Sequence, residues 1–225
     1  ARHRGRRRIS DESADRRGVI VRTRRLLIRP FQPEDLPDVH RLLYADARVA
    51  DWWTGLSRDY KDVRERFLHD ALWRSDDGFG FRAVTSQDGG TLVGLMGFQK
   101  YRTDEDTSYV AFQDPADRIG RDPGRIEVEL TYALGREHWG HGYATEAGRA
   151  LIPQGFADLG IWRIVNAVAA TNTRSVDLMG RLGFRLEPNR RPGRDGPSII
   201  GVFDRETLDI EGALRRPLDM DERKF

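Results

Sequence analysis

A strand-like segment that leads directly into a glycine-containing helix start most constrains the fold of this 225-residue chain. Residues 126–132 alternate apolar and polar side chains, which predicts a half-buried β-strand with Glu127, Glu129 and Thr131 on one face. Residues 139–147 then read Trp-Gly-His-Gly-Tyr-Ala-Thr-Glu-Ala and open a segment of helical periodicity. Glycines at a helix start let the backbone approach a ligand, and the first-turn N–H groups and the helix dipole attract an anion. The pattern therefore predicts a phosphate or pyrophosphate site, although an ordinary turn would also use such glycines.

Two familiar phosphate-binding patterns do not fit this segment. A P-loop is excluded because no Gly-Lys-Ser/Thr occurs in the chain. A dinucleotide-binding turn would need a third glycine where Thr145 stands and an acid at the end of the next strand, whereas Asp158 falls inside the helical segment. The chain also contains no cysteine, which excludes disulfide scaffolds, thiolate metal sites and cysteine nucleophiles. We expect no metal in the site.

The order of the predicted elements favours a single α+β domain. Strands alternate with helices only in the second half, which indicates a mixed, mostly antiparallel central sheet of about seven strands flanked by about four helices. The predicted strands are 26–30, 79–85, 91–98, 126–132, 161–169, 184–187 and 198–203. The predicted helices are 33–44, 59–73, 142–159 and 172–182. Pro153 is expected to kink the third helix or to end it early.

Charge divides the chain into an arm, a body and a tail. Residues 1–25 hold ten arginines and three acids, a local charge of +7 that leaves −5 for the other 200 residues. We predict a basic N-terminal arm over 1–21, a domain over 22–208 with a polar insertion at 101–125, and a charged tail over 209–225. The arm lacks aromatic side chains that could stack on bases, which disfavours a nucleic-acid partner. No apolar run approaches the roughly 20 residues of a membrane span and the basic start is not a secretory signal, so we expect a cytoplasmic protein.

Four blocks of sequence, in order, resemble the GCN5-related N-acetyltransferases (GNAT), and most closely their RimJ/RimL-like branch of ribosomal-protein N-terminal acetyltransferases. The blocks are 23–36, 129–134, 139–147 and 171–184. The resemblance implies a single GNAT-like domain that uses acetyl-CoA as acetyl donor. It implies direct transfer of the acetyl group to a primary amine, either a protein N-terminus or a small cationic amine. It also allows a homodimer.

The resemblance further implies which residues hold the cofactor. The backbone of the glycine segment would bind the pyrophosphate, and a splayed strand at 130–132 would bind the pantetheine arm and offer an N–H to the thioester oxygen. The implied residues are Leu130, Thr131, Tyr132, Gly140, His141, Gly142, Tyr143, Ala144, Thr145 and Asn172. Asn172 is also well placed as a helix N-cap, with Ser175 in the first turn, and this structural role alone could explain both residues.

Acetyl transfer needs a base for the amine and favours an acid for the leaving thiolate. Glu129 is the first candidate for the base, with Glu127 in reserve and His138 as a further candidate. In many members of the resembled family a tyrosine in the later helix protonates the thiolate, but Met179 holds the matching position and has no proton to donate. Ser175, which the resemblance places near the thiol, is the best remaining donor. Unassisted departure of the thiolate stays open.

The acceptor site is predicted from aromatic and acidic residues. Trp52 and Trp53 could flank a peptide or a cation, with Glu127 as a third substrate contact. The acidic run at 104–106 in the insertion would attract an ammonium group, although core packing of the tryptophans is an equal alternative. A second hypothesis for the whole chain is a non-catalytic acyl-CoA-binding sensor or interaction domain, because the helix tyrosine is missing and the insertion is unusual.

Overall fold

We analysed a computed structural model that describes residues 20–52, 58–68, 78–88, 90–102, 126–189 and 196–208. The predictions for Trp53, for the acidic run 104–106, for most of the arm and for the tail lie outside the described residues. Among the described helices, none is long and apolar enough to cross a bilayer.

The first half of the domain is an antiparallel sheet with short helices packed on one face. β1 (Val21–Arg22) and β2 (Leu26–Arg29) form a hairpin. A helical run follows, made of a 3-10 turn (Pro33–Asp35), α1 (Leu36–Val39) and a π-helical turn (His40–Tyr44), and then come α2 (Ala47–Ala50) and α3 (Tyr60–Arg66). The sheet is completed by β3 (Gly80–Ser86), β4 (Leu92–Arg102) and β5 (Ile126–Leu134). Its order is β1-β2-β3-β4-β5, with all neighbours antiparallel.

The second half adds two longer helices and a second sheet. A 3-10 turn (Arg136–His138) leads into α4 (Tyr143–Asp158), β6 (Arg163–Ala169), α5 (Thr173–Leu182), β7 (Arg185–Pro188), β8 (Ser198–Asp204) and a last 3-10 turn (Arg205–Thr207). β6, β8 and β7 form a three-stranded antiparallel sheet. The predicted α+β domain with mostly antiparallel strands is confirmed. Its strands form two sheets, which separate between β5 and β6. β5 is the strand for which the resemblance implied splaying.

Alternating side chains of β5 build two cores on opposite faces of the five-stranded sheet. Leu130 and Leu134 lie in the core under α4 and α5, while Ala133 lies in the core under α1 and α3. Phe156 of α4 is fully buried in the first core and contributes about 1.5–3 kcal/mol by leaving water. The alternation predicted from the sequence therefore fixes which face of β5 each side chain occupies.

The structure corrects one expectation about α4 and one predicted boundary of β4. α4 matches the predicted helix 142–159 and does not end early at Pro153, but continues to Asp158 with the proline buried. Tight packing holds this part of the helix in place, since a Cβ added to Gly155 would come within 2.5 Å of the Phe98 ring. β4 extends to Arg102, so the first two residues of the predicted insertion belong to the strand and pair with β5.

A buried ion pair joins the two sheets where β5 and β6 begin. The Arg163 Nε donates to Glu127 Oε2 at 2.8 Å, and Arg163 Nη2 donates to the other carboxylate oxygen. The two side chains are only 5% and 3% exposed. Glu127, predicted as a reserve base and a substrate contact, is therefore a structural anion whose two oxygens are both held by Arg163.

Removing one member of this pair should strongly destabilise the fold. In Glu127→Leu the Arg163 guanidinium stays buried without this counter-charge, which should lower the free energy of unfolding by about 3–5 kcal/mol. Urea unfolding followed by circular dichroism measures the loss. The control is Glu187→Leu, because the Arg185–Glu187 pair is about half exposed and should contribute less than about 1 kcal/mol. Equal losses in the two variants would contradict the structural role of Glu127.

Candidate active site

The glycine segment forms an open turn at the start of α4. Gly140 and Gly142 have φ of +78° and +77°, in the left-handed region that favours glycine. Gly142 is the N-cap of α4, and no described side chain accepts a hydrogen bond from the helix at that end. A Cβ added to Gly140 would meet nothing within 4 Å, so a ligand can approach the backbone closely. The turn fits a pyrophosphate, whose oxygens would accept hydrogen bonds from the first-turn N–H groups.

Arg25, from the β1–β2 hairpin, contacts this turn and organises it. Its Nη1 donates to the carbonyl oxygen of His141 at 2.9 Å, and its guanidinium lies 4.7 Å from the ring centroid of Tyr143. Glu146 in the first turn of α4 holds the arginine in place, accepting from the Arg25 backbone N at 2.9 Å and from its Nε at 2.6 Å. The hydroxyl of Thr23 donates to the same carboxylate. Burial by itself would raise the pKa of Glu146, but the hydrogen bonds from Thr23 and Arg25 outweigh it and hold that pKa below its ordinary value.

Sequence reasoning missed the Arg25–Glu146 contact. Both residues belong to blocks that carry the family resemblance, but they lie 121 positions apart, and Arg25 otherwise entered the prediction only as part of the charge of residues 1–25. The signal that could have found them is Glu146 itself, because a glutamate in the glycine segment that becomes largely buried requires a cationic partner. The placement of Arg25 shows that at least one arginine of residues 1–25 contacts the glycine turn.

Two arginines of α5 approach the same turn from the other side. The Arg174 guanidinium lies 4.7 Å from the Trp139 ring centroid, and Arg181 Nε donates to Thr145 Oγ1 at 3.4 Å. The Trp139 ring is itself fixed, because its Nε1 donates to the Leu134 carbonyl oxygen at 2.8 Å. Positive charge from two elements thus adds to the helix dipole around the turn.

Besides the Glu127–Arg163 pair, the Asn166 side chain holds the two sheets together. Asn166 of β6 accepts from the Leu130 N–H at 3.3 Å and donates to the Leu130 carbonyl oxygen at 2.7 Å. Its amide takes the place of strand-to-strand hydrogen bonds and leaves no backbone group of Leu130 for a ligand. Since backbone groups of a strand repeat with a period of two, the N–H of Tyr132 is directed to the same edge, one step beyond Asn166. Tyr132 rather than Leu130 is therefore the residue whose N–H can meet a pantetheine arm.

Glu129 is the carboxylate suited to proton transfer. It is half-buried on β5 opposite Gln99 of β4. Burial raises its pKa from the ordinary 4.5 to about 7, so it can accept a proton near neutral pH. Thr131, on the same face, donates its hydroxyl proton to the Gln99 side-chain oxygen at 3.3 Å. Glu127 and Glu129 share a sequence pattern but differ in environment, because only Glu127 meets Arg163.

The start of α5 brings three predicted residues together. The Asn172 Oδ1 accepts from the Ser175 backbone N at 3.2 Å, so Asn172 is the helix N-cap. The carbonyl oxygen of Ser175 accepts from the Tyr132 hydroxyl at 3.4 Å. Met179 is 1% exposed, and a Cβ added to Gly201 would come within 2.8 Å of its sulfur. Met179 is therefore a core side chain.

Two other predicted residues differ in their exposure. Trp52, just after α2, is 46% exposed and does not pack in the core. His138 lies just before the glycine turn, and its Nε2 is buried without a hydrogen-bond partner among the described residues, 3.5 Å from a carboxylate oxygen of the exposed Glu137. Burial lowers the pKa of His138, which favours its neutral form at pH 7.

Residues 25–185 match the family described as "Acetyltransferase (GNAT) domain". The chain belongs to this GNAT family. It is 44% identical over 69 residues to "Uncharacterized N-acetyltransferase p20" of Bacillus licheniformis, an alignment that covers 31% of this chain and 38% of that protein. It is 24% identical over 187 residues to "Uncharacterized protein YkkB" of Bacillus subtilis (strain 168), which covers 82% of this chain and 94% of that protein.

Solved structures share the GNAT fold of this chain. A GNAT acetyltransferase from Bacillus anthracis superposes with a TM-score of 0.65 at 21% identity, covering 84% of this chain and 99% of its own. An aminoglycoside acetyltransferase in complex with coenzyme A gives 0.53 at 21% identity, with coverage of 80% and 95%. Spermidine N-acetyltransferase from Vibrio cholerae, in complex with CoA and spermine, gives 0.57 at 18% identity, with coverage of 80% and 96%. These similarities establish the fold.

Replacing Arg25 should weaken the binding of coenzyme A. Arg25→Met removes a charged hydrogen bond to the turn and the guanidinium over Tyr143, so we expect the Kd for CoA to rise about tenfold. Isothermal titration calorimetry measures it. Arg185→Met, which removes a half-exposed arginine paired with Glu187, is the control and should leave the Kd unchanged. An unchanged Kd in Arg25→Met would show that Arg25 does not organise the turn.

The raised pKa of Glu129 also predicts a pH-dependent stability. A carboxyl whose pKa is higher in the folded than in the unfolded state favours folding below the unfolded value of about 4.5, and this stability is lost as the pH rises to about 7. Glu129→Gln cannot ionise, so it should unfold at a higher temperature than the wild type at pH 8 but not at pH 4. Calorimetric melting at the two pH values measures the difference. An equal shift at both would mean that ionisation of Glu129 does not oppose folding.

Proposed function

We propose that this protein is an acetyl-CoA-dependent N-acetyltransferase that moves the acetyl group directly to a primary amine. Membership of the GNAT family supports acetyl transfer in general. The observation that carries the proposal is Glu129, a half-buried carboxylate with a pKa of about 7 on the strand that borders the gap between the sheets. A base with this pKa can remove a proton from an attacking amine at neutral pH.

Each part of the proposed site has a separate role in the reaction. Acetyl-CoA, when bound, supplies an activated thioester. The backbone of 140–145 and Arg25 would hold its pyrophosphate, and the N–H of Tyr132 would donate to the oxyanion that forms at the thioester carbonyl. Glu129 would take the proton from the amine. Holding both reactants at one strand supplies much of the rate acceleration.

For the acceptor we propose a protein N-terminus or a small cationic amine. Two solved structures with the same fold belong to enzymes named for amine substrates, an aminoglycoside and spermidine. The exposed Trp52 at the end of α2 could contact such a cation through its ring. The RimJ/RimL-like branch, a homodimer and a cytoplasmic location stay predictions.

Turnover with an amine panel tests the proposal. We would incubate the protein with acetyl-CoA and spermidine, an aminoglycoside or peptides with free N-termini, and follow thiol release. In the wild type kcat/KM should rise with pH up to about 7 as Glu129 loses its proton. Glu129→Gln should lower kcat/KM by roughly 10²-fold or more at pH 7 and should lose this pH dependence.

A matched variant and a binding measurement decide between the alternatives. Glu187→Gln, from the half-exposed pair with Arg185, should keep both the rate and the pH profile. Tight CoA binding without turnover of any amine would reject the enzyme and favour a non-catalytic acyl-CoA-binding sensor. An unchanged pH profile in Glu129→Gln would remove Glu129 from the mechanism.

A further inference from the structure

The described site lacks an obvious acid for the leaving group. When an amine displaces a thiolate, the departing sulfur becomes a base that must take up a proton. Met179, at the position where many related enzymes carry a tyrosine, is 1% exposed and has no proton to donate. Ser175 lies in the first turn of α5, but an alcohol is a much weaker acid than a phenol, whose pKa is ordinarily about 10.

A phenol approaches the same place from the opposite element. Tyr132 extends from β5 toward α5, and its hydroxyl donates to the Ser175 carbonyl oxygen at 3.4 Å. The side chain is half-buried and packs against the core under α4 and α5. The backbone N–H of the same residue is directed into the gap between β5 and β6. One residue thus carries both an N–H for the thioester oxygen and an O–H beside the helix start.

We propose that the Tyr132 hydroxyl is the proton donor to the departing sulfur. This acid is supplied by β5, because α5 carries none at the position of Met179. This inference rests on the proposed N-acetyltransferase function. It assigns to the Tyr132 side chain a role separate from that of its backbone.

The hydrogen bond of Tyr132 leaves its proton available. At 3.4 Å it is far longer than the typical 2.7–2.8 Å of an O–H···O bond, so little energy is lost when the hydroxyl turns to a better acceptor. A developing thiolate is charged and accepts a stronger hydrogen bond than a carbonyl that already lies within a helix. The geometry therefore favours redirection of the O–H once negative charge appears on sulfur.

The charged groups around the phenol keep it protonated before the reaction. Burial raises the pKa of Tyr132 to about 12, and Glu129 on β5 acts in the same direction. A hydrogen bond with the Ser175 side chain and the charge of Arg181, both on α5, act in the opposite direction, which stabilises the phenolate once the proton has left. Tyr132 thus enters the reaction with its proton and has a cation nearby when it loses it.

The transfer balances in atoms and electrons. The amine nitrogen bonds to the carbonyl carbon while its proton passes to the Glu129 carboxylate, and the C–S bond breaks with its electron pair on sulfur. The Tyr132 O–H proton then goes to sulfur, which gives a neutral thiol. The proton on Glu129 returns to the Tyr132 phenolate through water, so the amide and the thiol are the only net products.

A binding experiment tests the contact without turnover. We would measure by calorimetry the Kd of CoA and of desulfo-CoA, which lacks the sulfur, at pH 7 and pH 9. Because a free thiol ionises near pH 8.5, the wild type should gain about tenfold in preference for CoA over desulfo-CoA between these pH values as the phenol donates to the thiolate. Tyr132→Phe should lose this gain, and an unchanged Kd for desulfo-CoA would show that the variant is folded. Tyr60→Phe, at a half-exposed tyrosine of α3, is the matched control and should behave as the wild type.

Kinetics provide the second measurement. Tyr132→Phe should lower kcat about 10²-fold with little change in the KM for acetyl-CoA, whereas Ser175→Ala should lower it far less. A preference for CoA that survives in Tyr132→Phe, or that is lost in Ser175→Ala instead, would overturn the inference. Turnover that Tyr132→Phe leaves unchanged would overturn the role of Tyr132 alone. Absence of turnover by the wild type with every amine would overturn the proposed function, and the proton transfer with it.

Discussion

The separation of β5 from β6 is the constraint on which the site depends. Two contacts hold these strands at a fixed register, the ion pair between Glu127 and Arg163 and the amide of Asn166 on Leu130. Both join residues 36 positions apart, so the strands run in the same direction and are locked together over their first halves. β5 and β6 belong to different sheets, and beyond Leu130 the backbone N–H of Tyr132 on this edge of β5 is left for another partner.

The buried polar side chains beside this gap form hydrogen bonds with β5. A buried charge or amide is stable only when its hydrogen bonds are satisfied, and Arg163 and Asn166 meet that condition through β5. A rigid pair of strands is what a reaction between two bound molecules needs, because small errors of position slow the chemical step strongly. The fold thus places its costly polar contacts at the closed end of the gap and leaves Glu129 and Tyr132, the proposed base and acid, next to its opening.

Local sequence patterns predicted the elements of the site but not the contacts between them. The alternation at 126–132 and the glycines at 140 and 142 depend on neighbours along the chain, and both were found in the structure. Asn166 is one of two polar residues in an otherwise apolar strand, and Arg25 contacts Glu146 across 121 positions of sequence. Glu127 and Glu129 have the same place in the alternation, so their difference arises from β6, which supplies an arginine to one of them. Periodicity predicts a face of a strand, but the partner on that face is a property of the assembled fold.

Charge is distributed along the site in a way that the overall composition conceals. Arg25, Arg174 and Arg181 gather at the turn where α4 begins, where a phosphate would lie. Glu129 lies nearer the start of β5, five positions before its end, and no described cation pairs with it. Charges of opposite sign at the two ends of a cleft attract ligand groups of the complementary charge. An anionic donor and a cationic acceptor would therefore enter in only one arrangement. The near balance of 38 basic and 36 acidic residues therefore conceals a local excess of positive charge at the turn, and that excess includes Arg25 from the arginine-rich stretch 1–25.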